Sequence, residues 1–204
     1  MGKFNDILRP NYIGMNIKEN FKSYGKVDIQ PILKKLELIP DDEWDRFTWR
    51  QDMNPMHGAS KTLAIIYDED FRHFNNTKHE LYNLLDFEEL SKPMVEILER
   101  EYNWGYVVRA VLVKLPAGKS IKPHIDYGGS YHLSHRIHIP LICDWDKVEY
   151  VVDGERKFFE LGEMFELNNM KLHEVNNHGD VDRVNLLFDF AELSGKGWWF
   201  HSSK

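Results

Sequence analysis

The chain has 204 residues, 42% hydrophobic and 13% aromatic, and 33 acidic residues against 26 basic give a net charge of −7. That length and apolar content fit one packed domain rather than a disordered chain. The acidic balance speaks against a broad phosphate-binding face and so against a nucleic-acid partner. Cys143 is the lone cysteine, which excludes a disulfide framework and a cysteine-rich zinc module. No run approaches the ~18 apolar residues of a membrane span. The opening MGKFNDILRP has no apolar signal core, and Asp6 in its sixth position does not fit a myristoylation signal. The expectation is a soluble, cytoplasmic protein without membrane contact.

Ile29–Leu38 reads as a short helix with Pro31 in its first turn, where a missing N–H is tolerated. Asp41-Asp42 reads as a solvated helix start, followed by Trp44, Phe47 and Trp49. Leu63–Asp68 (LAIIYD) reads as a buried strand. Between Leu84 and Tyr102 apolar residues recur at helical spacing, with Ser91 a candidate N-cap ahead of Pro93. After Gly105 the period becomes two. Tyr106–Leu115 is a strand, PAGKSIKP a turn region, and Arg136–Cys143 a strand. Glu149–Leu161 is a hairpin around Asp153-Gly154, and Glu163–Asn168 and Arg183–Phe190 are two more strands. Five to eight short strands in about 90 residues, without intervening helices, predict a mainly β jelly roll. The N-terminal helices should pack on one sheet face. The expected organisation is one domain over 1–204, with an N-terminal elaboration over 1–104, a β core over 105–192 and an aromatic tail over 193–204.

His124-Ile125-Asp126 places a histidine and a carboxylate at i and i+2, on one side of a strand end, where both can bind one metal ion. The tripeptide alone says little, because roughly one HxD is expected by chance at this composition. A second copy, His178-Gly179-Asp180, sits in the polar turn NNHGDVD and reads as surface. Context distinguishes the first copy. A two-histidine, one-carboxylate face leaves open positions on iron, and His173, 47 residues past Asp126, can return on a neighbouring strand as the third ligand. Ten residues further, Arg183 opens the last strand, where a buried guanidinium can grip a carboxylate bidentately. Iron with open positions plus a carboxylate anchor is what 2-oxoglutarate requires. In Arg136–Leu141 (RIHIPL), Arg136 and His138 share one face. That face either lines the interior or lies in water.

Trp49, Arg50 and His57 are the N-terminal candidates for substrate contact, Arg50 through a substrate carboxylate. A packed Trp beside a surface Arg explains the same residues. Tyr127–His135, with Gly128-Gly129, is a lid candidate in which Tyr127 meets substrate, and His132 and His135 read as solvated loop residues. The tail Gly197-Trp198-Trp199-Phe200 reads as packed on the core, and Cys143 as a buried, unreactive thiol.

The order HID, RIHIPL, HEVNN, and then Arg183 leading into NLLFDF, resembles the aspartyl/asparaginyl β-hydroxylase family of Fe(II)- and 2-oxoglutarate-dependent oxygenases, over roughly Gly105–Phe190. The branch with free-proline cis-hydroxylases is most similar, because it keeps the HxD carboxylate that the animal endoplasmic-reticulum members lack. The resemblance implies a cupin-like double-stranded β-helix core. It implies iron held by His124, Asp126 and His173, and the distal carboxylate of 2-oxoglutarate held by Arg183. His138 would meet the same co-substrate, and Arg136 the co-substrate or an acidic substrate group. The implied reaction is O₂-dependent hydroxylation of an unactivated C–H, with release of succinate and CO₂. Its substrate would be an amino acid or peptidyl side chain bearing an anionic group. Val113 stands where the eukaryotic members carry a Ser that helps hold the co-substrate. A cupin-like metal protein that does not use 2-oxoglutarate, or a non-catalytic jelly-roll binding domain, would use the same strands.

Overall fold

The alternation after Gly105 resolves into two antiparallel sheets packed face to face. The computed structural model describes residues 17–53, 55–68, 76–126, 131 and 133–192. Its strands in chain order are β1 (Phe21–Lys26), β2 (Lys61–Ile66), β3 (Gly105–Leu115), β4 (Ser120–His124), β5 (His135–Ile142), β6 (Val148–Val152), β7 (Glu155–Lys157), β8 (Glu163–Leu167), β9 (His173–Asn177) and β10 (Arg183–Glu192). The larger sheet has the order β1-β8-β5-β10-β3-β2, and the smaller β4-β9-β6-β7. This is the expected mainly β jelly roll. β1 and β2, from the N-terminal part of the chain, pair with β8 and β3 and so widen the larger sheet.

Period two decides which side chains meet. On β10, Val184, Leu186 and Phe188 face outward, and on β5 Ile137, Ile139 and Leu141 do the same. Together with Ala110 and Leu112 of β3 they form one core cluster under the helices. α1 (Gln30–Leu36) and α4 (Phe87–Glu101) cover that face through Ile32, Phe87, Met94 and Leu98. Each such fully buried side chain contributes about 1.5–3 kcal/mol. The opposite face of the larger sheet meets the smaller sheet. There Leu115, Phe165 and Leu167 pack on Ile121, Tyr150, Val152 and Val175. Between the sheets, on the β2–β3 side, α2 (Trp49–Met53) packs Trp49 against Tyr67, Val111 and Leu187.

α4 begins at Phe87 and runs through Ser91 and Pro93, so Ser91 is not its N-cap. Phe87, Ser91, Met94 and Leu98 form one buried stripe at helical spacing, and burying Phe87 requires the turn before the proline. Pro93 removes only a bond to the carbonyl of Glu89, an exposed residue. The PAGKSIKP segment is also more than a turn, because Ser120–His124 forms β4. It is an edge strand, which is where a Pro is tolerated. Asp153 and Gly154 both have positive φ, as a two-residue hairpin turn requires. α3 (Glu80–Leu84) precedes α4. Among the described residues no helix is long and apolar enough to cross a membrane. The aromatic tail from Gly197, Tyr127, Gly128-Gly129 and His132 lie outside the described residues.

Candidate active site

β4 and β9 are neighbours in the smaller sheet, and their register sets His124 directly opposite His173. Asp126 follows two residues after His124, its backbone N–H bonded to the carbonyl of Asn169. The three side chains converge, with one ligand atom from each lying within 4.8 Å of the others. His124 Nε2 and Asp126 Oδ1 are 3.6 Å apart, and the two imidazole centroids 4.2 Å apart.

Each imidazole is oriented from behind. His124 Nδ1 bonds the carbonyl of Lys122 at 2.8 Å, and His173 Nδ1 that of Lys171 at 2.9 Å. A carbonyl only accepts, so both Nδ1 atoms carry the proton and both Nε2 lone pairs face the cluster. Burial lowers both histidines, His173 to about 4, despite the opposing pull of Asp126. Both are therefore neutral and competent to ligate at neutral pH. Burial would raise the Asp126 carboxyl, but Arg136 and the neighbouring histidines hold it well below the usual carboxylate range. Its Oδ2 accepts from Arg136 Nη1 at 2.6 Å and Asn169 Nδ2 at 3.3 Å, which leaves Oδ1 for a metal. Two neutral imidazoles and one carboxylate oxygen on one face suit a divalent first-row metal such as Fe(II).

Beside the cluster lies a narrow interior chamber lined by Arg50, His57, His138, Arg183, His124 and His173. Arg183, at the start of β10, is buried. Its Nε donates to the Tyr150 hydroxyl at 3.1 Å, and Tyr150 donates onward to Asn185 Oδ1 at 3.2 Å. Among the described residues no carboxylate pairs with Arg183. His138 is stacked on Phe165, with both ring nitrogens buried and unpartnered. Burial first, and then Arg183, press it well below its ordinary pKa. A buried cation without a counter-ion beside an orphaned imidazole is a costly arrangement in the unliganded chain, and it matches a carboxylate co-substrate. Val113 lines this chamber opposite Asn185 and offers no hydroxyl. The Tyr150 hydroxyl reaches Arg183 instead.

Arg136 has partners other than those the sequence suggested. Nη1 bonds Asp126, while Nε and Nη2 grip Asp189 at 3.0 and 2.9 Å. Asp189 also binds Arg109 at 3.0 Å, and the Tyr131 ring covers both guanidinium groups. This arginine holds the Asp126 carboxylate in place. Asp189, Asn169 and Tyr150 escaped the sequence reading, although period two puts Asp189 on the same face of β10 as Arg183. His57 meets the ring of His124 edge-on at 4.9 Å, and burial lowers its pKa to about 2. His135 points to the other side of the sheet. There it is buried against Glu166 at 2.9 Å and stacked on Tyr102, rather than solvated. His178 lies on the surface near Glu149, away from the cluster. Tyr127 is outside the described residues.

Two sheets with a His-Asp-His cluster at one end define the fold class of the 2-oxoglutarate–Fe(II) oxygenases. An oxidoreductase of that family from Burkholderia pseudomallei superposes with a TM-score of 0.54 at 15% identity, over 65% of this chain and 67% of that one. The apo form of the non-heme monooxygenase ThoJ gives 0.50 at 12% identity, over 85% and 74%. No curated protein matches the chain by sequence. The family model for aspartyl/asparaginyl beta-hydroxylase matches residues 87–192, more than half of the chain. The chain belongs to that family and is a 2-oxoglutarate-dependent hydroxylase.

Proposed function

We propose that His124, Asp126 and His173 hold Fe(II), and that Arg183 and His138 hold 2-oxoglutarate. The chain then hydroxylates an unactivated C–H of an amino acid or peptidyl side chain. The balance is substrate, O₂ and 2-oxoglutarate to hydroxylated substrate, succinate and CO₂. Bound Fe(II) with its co-substrate would supply the oxidising power, which no side chain here has. The chain's own residues do the rest. Backbone carbonyls fix both imidazoles in the ligating tautomer. Arg136 keeps Asp126 ionised and aimed. Arg183, steadied by Tyr150, receives the distal carboxylate, and the apolar walls of Val113 and Leu187 keep water scarce. The whole chain over 1–204 is taken as a single oxygenase domain, because β1 and β2 belong to the same sheet as the family-matched strands.

The observation that carries this reading is the pair of Nδ1–carbonyl bonds that turns two neutral Nε2 lone pairs toward one carboxylate oxygen. Succinate formation tests it. Protein with Fe(II), O₂ and 2-oxoglutarate, offered amino acids and short peptides, should release succinate in step with hydroxylated product. Asp126→Ala should release none. Product formed without 2-oxoglutarate would support the cupin-like alternative.

A further inference from the structure

We propose that Arg50 and His57 form an anion subsite that seats the carboxylate of the substrate, so that the molecule oxidised is a small carboxylic acid. This rests on the functional reading above and names the substrate class for that same site.

Both residues come from α2 and the 3-10 turn Pro55–His57, outside the family-matched residues 87–192. Both reach the interior chamber. Arg50 Nη1 is shielded from solvent and has no hydrogen-bond partner, and the same holds for His57 Nδ1. Two other arginines on this side are compensated, because Arg136 and Arg109 share Asp189 and Arg136 also holds Asp126. No carboxylate among the described residues pairs with Arg50. A buried donor of this kind costs stability unless something fills it when the enzyme works.

Arg50 and His57 share the chamber with Arg183 and His138 but enter it from other elements, α2 and the 3-10 turn. His57 meets the ring of His124 edge-on at 4.9 Å, and Trp49, the neighbour of Arg50 on α2, packs against Tyr67. Arg183 and Asp189 are six residues apart on one face of β10, or about 20 Å of extended strand. Arg183 marks one end of that face, and His57, seated against His124, sets the subsite beside the His-Asp-His cluster. A cavity of about 380 Å³, lined by Met56, His57, His124, Asp126, Tyr131 and Leu172, lies on the other side of His57 and His124. That volume lies near the lower end for small-molecule sites, roughly 300–1,000 Å³. One unpartnered guanidinium suits a monoanionic carboxylate, which it can grip bidentately.

The test uses the full chain loaded anaerobically with Fe(II) and 2-oxoglutarate, so that the Arg183 end is filled. Acetate, L-aspartate and L-leucine are titrated, each beside its carboxamide, with inorganic phosphate as a further arm. The readout is the shift of the iron–2-oxoglutarate absorption band. At least one carboxylate should bind saturably, its carboxamide about tenfold or more weaker, and phosphate no better than the amide. Arg50→Gln should weaken that carboxylate by about 10- to 100-fold while iron and 2-oxoglutarate affinities stay within about twofold. Arg50→Lys, which keeps the charge, should fall between. The inference is overturned if no carboxylate perturbs the band, if amide or phosphate binds as well, or if Arg50→Gln binds like the parent. Absence of the band itself would overturn the functional reading, and this inference with it.

Discussion

Arg136 Nη1 lies 2.6 Å from Asp126 Oδ2, with both side chains buried, and the rest of that guanidinium is spent on Asp189. The Asp126 carboxylate is thus held by a cation that is itself held by a second carboxylate. Asp189 bonds Arg136 and Arg109, and so fixes the group that aims Asp126.

Asp189→Asn should therefore act at a distance. It leaves Arg109 and Arg136 under-compensated in the interior, which typically costs about 3 kcal/mol. For a chain of this size that is a fall on the order of 10 °C in Tm. Iron affinity should drop by about tenfold as Asp126 loses its brace. Thermal melts and Fe(II) titrations check both, and a variant unchanged in both would show the relay to be idle.

Arg183→Ala separates co-substrate from metal. The 2-oxoglutarate dissociation constant should rise by about 10- to 100-fold, the loss expected for hydrogen bonds to a charged group. Iron binding should stay within about twofold. Tyr150→Phe should produce a smaller rise of the same kind, because it frees Arg183 Nε without removing the charge. Equal effects on iron and co-substrate would contradict the division of labour.

Gly105 tests the packing of the sheet. A Cβ there would collide with the Ala191 carbonyl oxygen and the Phe190 ring. Gly105→Ala should destabilise by about 1–3 kcal/mol through forced backbone shifts. Chemical denaturation measures this, and a neutral result would mean that the β3–β10 ends separate freely.

Cys143 is half-buried, and burial raises its thiol to about 11. Since the thiolate is the nucleophile, a raised pKa means less of it at pH 8. Alkylation by iodoacetamide at pH 8 should be on the order of 100-fold slower in the native chain than in urea, with the native rate climbing as pH approaches 11. Mass spectrometry of timed samples follows it. Equal rates would place the thiol in open solvent.

Much of the fold could be read from the sequence where alternation was strong. In RVNLLFDF and RIHIPL, apolar residues at every second position buried one face under helices and turned Arg183, Arg136 and His138 inward. β4 and β9 leave a weaker mark in the sequence. Ser120–His124 carries a lysine and a proline and His173–Asn177 is largely polar, so neither shows a hydrophobic period. The HxD and distal histidine were found through spacing, but their pairing across β4 and β9 is a matter of register, which spacing does not encode. Arg136 shows the limit most plainly. Its inward face followed from alternation, whereas its partner Asp189 is 53 residues away and is brought opposite by β5–β10 pairing.

The central claim is that Fe(II) and 2-oxoglutarate meet at His124, Asp126 and His173. Anaerobic absorption spectroscopy of the chain with Fe(II), before and after 2-oxoglutarate is added, tests it most directly. A visible metal-to-ligand charge-transfer band should appear on addition and be absent in Asp126→Ala. Iron bound tightly without that band, or a band of full strength in Asp126→Ala, would contradict the account.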